Sequence, residues 1–152
     1  MIERIDHINI VVNDLEGMIQ FYQKCLGFQI SKKVVISGDW IDGVVGLTGV
    51  EADVVYLELP EGPRIELIKY HSPVGLRVEA TGIPNTTGIR HIAFRVTAID
   101  PWVERLSKEA VSFFGKVYQV PANQVKYAGG LRKRLVYFHD PEGNILELCE
   151  YS

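Results

Sequence analysis

Apolar and polar positions alternate along most of this chain, and a helical period interrupts the alternation twice. Ile5 to Val12 alternates every second residue, with Ile8, Ile10 and Val12 on one side and His7, Asn9 and Val11 on the other. That period marks a half-covered strand. From Asn13 the period changes: Leu15, Met18, Ile19, Tyr22 and Leu26 recur at helical spacing, and Gly27 stops the run. Asn13 and Glu16 have the spacing of a capping box. Gln29 to Ile36 reads as a strand, Ser37-Gly38-Asp39-Trp40 as a break, and Ile41 to Val50 as a Gly-rich stretch of mixed period. Asp53 to Leu59 and Arg64 to Tyr70 are predicted to pair across Pro60-Glu61-Gly62.

The same order then returns. His91 to Val96 is a predicted strand, and Asp100-Pro101 opens a helix over Trp102 to Ala110, since proline is tolerated in a first helical turn. Strands are expected at Phe113 to Val120, Arg134 to His139 and Ile145 to Tyr151, the last two joined by Asp140-Pro141-Glu142-Gly143. Between the halves, 71–88 holds two prolines and three glycines and reads as a linker. The expected organisation is one domain, 1–152, made of a module over 1–70, the linker 71–88 and a module over 89–152. Two strand-rich repeats this small bury little core alone, so they should combine, within one chain or between two.

The repeat extends to individual residues. Asp6-His7-Ile8-Asn9-Ile10 returns 84 positions later as Arg90-His91-Ile92-Ala93-Phe94. Arg64-Ile65-Glu66-Leu67 returns 81 positions later as Ile145-Leu146-Glu147-Leu148. Each half therefore carries one His on its first strand and one Glu on its last. Strand alternation puts all four on the faces opposite the apolar rows. Imidazole and carboxylate without sulfur suit a divalent ion such as Zn, Ni, Co, Mn or Fe. Four such ligands on an octahedral ion leave two positions, enough for a substrate with two adjacent oxygens.

The bulk properties narrow the field. The 152-residue chain has a net charge of -3, which gives no general attraction to nucleic acid or to an anionic membrane. No apolar run is long enough to span a bilayer, and Met1-Ile2-Glu3-Arg4 lacks the start of a signal peptide, so a cytoplasmic location is expected. Cys25 and Cys149 both lie within apolar patterns and read as reduced packing residues.

At these residues the chain resembles the vicinal oxygen chelate superfamily, which includes glyoxalase I, methylmalonyl-CoA epimerase, extradiol dioxygenases and the bleomycin and fosfomycin resistance proteins. Asp6-His7-Ile8, Asp14-Leu15-Glu16 through Phe21-Tyr22, Leu26-Gly27-Phe28, Ile65-Glu66-Leu67, His91-Ile92-Ala93-Phe94 and Asp140-Pro141-Glu142-Gly143-Asn144 with Glu147 carry the resemblance. It implies an α+β fold of two tandem βαβββ modules, a curved mixed sheet around a metal cleft with helices on its outer face. It implies metal ligands His7, Glu66, His91 and Glu147, a small-molecule substrate and a homodimer.

Within the superfamily, Val11 stands where glyoxalase I usually carries an arginine for the glutathione carboxylate. Ile65-Glu66-Leu67-Ile68, Ser72-Pro73-Val74 and Gly88-Ile89-Arg90-His91-Ile92 are similar to methylmalonyl-CoA epimerase. Two features depart from the epimerase. Asp140-Pro141-Glu142-Gly143 replaces its usual Lys-Asp-Cys run, and its second base would fall near Gly49. Extradiol dioxygenases use two His and one Glu, so Glu66 counts against iron-dependent ring cleavage.

The function expected is a divalent-metal-dependent, epimerase-like isomerase or lyase that removes a proton beside a chelated carbonyl of an acyl-thioester or 2-oxo compound. Glu66 or Glu147 would act as the base, and Arg95, on the face of His91, as a clamp for an anionic group. The alternatives are a glyoxalase I-like lactoylglutathione lyase, a non-catalytic binding protein of the resistance type and an Fe(II) dioxygenase. The basic run Lys126 to Arg134 is read as a solvated loop, Tyr56 and Tyr137 as packing residues, and Asp39-Trp40 as a turn that also suits a cover for the site.

Overall fold

Each half of the chain folds as a four-stranded mixed sheet whose first strand lies parallel beside its last. The computed structural model describes residues 1–152, and it divides into two units, Met1–Arg77 and Val78–Ser152. The first runs β1 (His7–Val11), α1 (Leu15–Lys24), β2 (Gln29–Ser37), α2 (Asp39–Val45), β3 (Glu51–Glu58) and β4 (Arg64–Ser72), with sheet order β1-β4-β3-β2. The second runs β5 (His91–Arg95), α3 (Ile99–Lys108), β6 (Tyr118–Gln119), β7 (Lys133–His139) and β8 (Ile145–Tyr151), with order β5-β8-β7-β6. The pairs β1/β4 and β5/β8 are parallel, because a helix intervenes after each first strand. All other ladders are antiparallel hairpin pairings. This is the expected α+β architecture of two tandem modules, realised as two separate four-stranded sheets.

Alternation along the strands decides which face is dry. In the first unit Met18, Ile19, Phe21 and Tyr22 of α1 are buried over the side that carries Val55, Leu57, Ile65 and Leu67. The opposite side carries Glu66, Ile68 and Tyr70 of β4 with Tyr56 and Val54 of β3. In the second unit Leu106 of α3 and Leu146, Leu148, Val136 and Phe138 of the strands are buried. Cys25 and Cys149 are free and buried, Cys149 on the side of β8 that carries Glu147.

Four sequence expectations need correction. The cap of α1 is Asp14, whose carboxylate accepts from the Gly17 backbone N–H at 3.0 Å; Asn13 stands one residue too early. The mixed stretch after Trp40 begins inside α2, where Ile41, Val44 and Val45 recur at helical spacing over only seven residues. Gly38 (φ 91°) opens that helix and Gly46 (φ 69°) closes it, both in the left-handed region that suits glycine. The strand expected over Phe113 to Val120 shrinks to Tyr118–Gln119 and a single bridge between Phe113 and Phe138. Phe113 and Phe114 stack on Phe138 and His139, and the ladder lapses at Gly115 and Lys116. Finally, α3 starts at Ile99, before Asp100-Pro101, because Glu150 of β8 accepts from the Ile99 N–H at 2.7 Å and substitutes for the missing side-chain cap. No helix is long and apolar enough to cross a membrane.

Candidate metal centre

His7 and Glu66 meet because β1 and β4 are neighbours in parallel register. His7 lies beside Arg64, and Asn9 beside Glu66. His7 Nε2 is 3.5 Å from Glu66 Oε2. The other ring nitrogen, Nδ1, donates to Asp6 Oδ2 at 2.8 Å, which leaves the Nε2 lone pair free on the side of Glu66. Asp6 is itself held by the Arg64 guanidinium, and its hydrogen bonds to His7 and Arg64 keep its carboxyl below the usual range. Glu66 accepts from Asn9 Nδ2 at 2.8 Å on Oε2 and from the Tyr56 hydroxyl on Oε1. That bond pushes the Tyr56 pKa up to about 12, so the phenol stays a neutral donor.

The second unit repeats the pair and changes its surroundings. His91 Nε2 is 3.2 Å from Glu147 Oε2, again across a parallel strand pair. Ala93 replaces Asn9, so no amide reaches the carboxylate from β5. Lys133 does instead: its Nζ lies 2.6 Å from Glu147 Oε1 as an ion pair, at an angle poor for a hydrogen bond. Burial alone lowers the pKa of that ammonium, but contact with the Glu147 carboxylate outweighs it and the net shift is upward. The Glu147 side chain is 3% exposed against 15% for Glu66. Tyr137, opposite Glu147 in the ladder, stacks against His91 with centroids 5.0 Å apart.

The donor spacing permits a test of fit to a metal. Two ligands each about 2.1 Å from one ion are about 3.0 Å apart at a right angle and about 3.4 Å apart at a tetrahedral angle. Both pairs fall near these separations, so each fits two neighbouring positions on one ion as it stands. No cluster of three or more His, Cys, Asp or Glu is formed. Each unit thus brings together one His/Glu donor pair.

Among the other expected site residues, Arg95 is exposed, with its guanidinium 5.2 Å from the Tyr151 ring centre. Tyr56 has a polar role that the packing reading missed. Lys133 belongs to β7 and not to a solvated loop, and its side chain is 16% exposed. Its place two alternations before Tyr137, on the face that meets Glu147, was the available signal. α2 was also missed. Trp40, Val44 and Val45 of that helix wall a cavity of about 350 Å³ that includes His7, Tyr56 and Glu66.

The fold and its paired half-sites define a class: twofold-repeated α+β proteins with a His/Glu pair in each module. Residues 4–148 match the Glyoxalase/Bleomycin resistance protein/Dioxygenase superfamily, and the chain belongs to that family. It is similar to the uncharacterized protein YqjC of Bacillus subtilis (strain 168), 28% identical over 97% of this chain and 91% of that one. It is similar too to the uncharacterized protein YaeR of Escherichia coli (strain K12), 27% identical over 98% of this chain and 97% of that one. A glyoxalase family protein from Bacillus cereus superposes with a TM-score of 0.83 at 28% identity, over 99% of this chain and 95% of that one. The trypanothione-dependent glyoxalase I of Leishmania major shares the fold, with a TM-score of 0.65 at 20% identity over 97% and 86% of the two chains.

Proposed function

We propose that His7, Glu66, His91 and Glu147, two from each unit, are the ligands of a divalent metal ion, and that the protein is an isomerase or lyase. Its reaction removes a proton from the carbon beside a chelated carbonyl, in the manner of an epimerase. The observation that carries this reading is the recurrence of a His/Glu donor pair, 3.5 Å and 3.2 Å apart, at matching strand positions of both modules. A bound divalent ion would supply a Lewis acid that polarises the carbonyl of an acyl-thioester or 2-oxo compound.

The chain's own groups divide the remaining work. Glu66 is the better placed base, because its carboxylate opens on the 350 Å³ cavity and meets only neutral donors, Tyr56 and Asn9. It takes the proton and returns it to the product. Tyr56 and Asn9 fix the carboxylate plane, and Asp6 fixes the His7 ring. Glu147, buried and paired with an ammonium, serves as a ligand. Arg95 offers a cation for an anionic substrate group. The working assembly is a homodimer.

Glu66→Gln and Glu147→Gln separate the two roles. Solvent deuterium exchange into 2-oxo acids and acyl-thioesters, followed beside metal content, should show Glu66→Gln retaining metal with exchange lost at least 100-fold. Glu147→Gln should lose metal first. Equal loss of metal and exchange in both variants would overturn the assignment of Glu66 as base.

A further inference from the structure

The geometry points to a substrate that carries an uncharged apolar substituent, about four carbons or larger, seated against α2 next to His7 and Glu66. This inference rests on the reading of those residues as metal ligands and names the part of the substrate that the metal does not touch.

The first observation is the wall itself. Val34, Ile36, Trp40, Val44, Val45 and Ile68 line the cavity whose polar side is formed by His7, Tyr56 and Glu66. Its volume of about 350 Å³ falls within the range of small-molecule pockets. Trp40 is 60% exposed and Val44 73%, so a large part of this apolar surface is wet until something covers it. A group bound there gains from removing that surface from water.

The second observation is charge. The only ionisable groups lining the cavity at neutral pH are His7 and Glu66, the two proposed ligands; neither lysine nor arginine reaches it. A carboxylate or phosphate on the substituent would enter without a partner, at a cost that an alkyl or aryl group does not meet. Arg64, beside His7 in the strand pairing, does not line the cavity: Asp6 holds its guanidinium, which lies 4.8 Å from the Tyr56 ring centre. In the other unit Lys133 lies at Glu147 and Arg95 on Tyr151.

The third observation is that α2 is built as a fixed wall. Ile41 is buried and anchors it to the sheet. Asp42 accepts from the Gly49 and Val50 N–H groups at 2.7 and 2.8 Å, which ties the chain leaving the helix back to the helix. The second unit has no such helix between its second and third strands, where only the three-residue turn Ala128–Gly130 is regular. The repeat supplies the ligands twice but the apolar wall once, as a subsite for one substituent requires.

The test is a binding series. Zn(II)-loaded and chelator-stripped protein are titrated calorimetrically with pyruvate, 2-oxobutanoate, 2-oxohexanoate and 2-oxoadipate. Each added methylene should tighten binding about fourfold, so 2-oxohexanoate, three methylenes longer, should bind about 60-fold more tightly than pyruvate. The terminal carboxylate of 2-oxoadipate should erase the gain. Trp40→Ala and Val44→Asp should each flatten the series; the second keeps the inference testable where the first fails to fold. In a Trp102→Phe background, Trp40 emission should change on binding of the longer acids. A metal-dependent but flat series overturns the subsite and leaves the ligand reading standing. A steep series indifferent to metal upholds the subsite and overturns the ligand reading. Unchanged slopes in the variants, with a shift in sedimentation, would assign the surface to a second copy of the chain and overturn the inference.

Discussion

Glu66 takes its hydrogen bonds from neutral donors beside an open apolar cavity that His7 also lines, whereas Glu147, the partner of His91, sits against an ammonium group with its carboxylate almost fully buried. The strand pairing that brings His to Glu is the same in both units, and so is the separation of the donors to within a few tenths of an ångström. A tyrosine stands opposite each Glu, Tyr56 and Tyr137, but the other neighbours of the pair differ. Asp6 orients His7, while the residue before His91 is Arg90, which donates to the Thr81 carbonyl at 3.3 Å. Asn9 supports Glu66, while its counterpart Ala93 supports nothing. A duplicated framework preserves a donor pair at fixed spacing and leaves each neighbourhood free to differ.

The strongest way to break this comparison is to remove one ligand from each side. His7→Ala and His91→Ala should have the same outcome if the four residues serve one ion. Structural metal sites with four ligands bind with about 10–16 kcal/mol in all, so one ligand is worth about 3 kcal/mol, or more than 100-fold in affinity. Metal analysis of dialysed protein should find both variants empty and the parent stoichiometric. Half-stoichiometric metal in each variant would show two independent sites and end the shared-ion reading.

Lys133→Met tests the asymmetry itself. Breaking a buried ion pair by removing one partner costs about 3–5 kcal/mol; the partial exposure of Lys133 brings the expectation down to about 2 kcal/mol for metal-free protein in urea unfolding. Tyr56→Phe, which removes a neutral donor from the more open Glu66, should cost less than about 1 kcal/mol. Removing the Lys133 charge also takes a competing cation from Glu147, so metal should raise the melting temperature more in Lys133→Met than in the parent. Equal destabilisation by the two substitutions would mean that the two carboxylates are held alike.

What the sequence made legible follows the same line. The two His/Glu pairs were readable because duplication repeats them: a single His or Glu on a strand carries little information, and four at matching places carry much. The parallel pairing of β1 with β4 and of β5 with β8 follows from a helix placed after each first strand. Most neighbours were not readable, because they differ between the repeats or reach the pair only through strand pairing. Lys133 looked like part of a basic run until its pairing strand was known, and Tyr56 looked like packing until Glu66 lay opposite it in the ladder. α2 escaped because seven residues hold only two helical turns, and glycines at 43 and 46 resemble a loop. Phe113 to Val120 was overread as a strand because aromatic and β-branched residues mark a surface that stacks on a sheet as well as one that joins it.

The smallest effect concerns the turns that deliver the two glutamates. In the first unit Pro60-Glu61-Gly62 turns the chain into β4 with every residue exposed. In the second, Asp140 is 4% exposed and accepts from the N–H groups of Glu142 and Asn144 and from Asn144 Nδ2, at 2.8–3.0 Å. Asp140→Ala leaves three donors without that partner, two of them in a half-buried turn that water reaches, so the cost at pH 7 should be about 1 kcal/mol. Its pH dependence should run opposite to the usual aspartate case. Burial raises the Asp140 pKa above the ordinary value of 3.8, more than the hydrogen bonds lower it. The folded state therefore holds a proton that the unfolded chain releases, and the stabilisation from that proton is lost as pH rises through the folded value. The stability difference between parent and Asp140→Ala should accordingly grow as pH is lowered from 7 towards 4, read as the gap between two urea titrations at each pH, where the other carboxylates cancel. A gap that shrinks on acidification would show that the three hydrogen bonds outweigh burial, and that this turn holds its carboxylate as a charged cap.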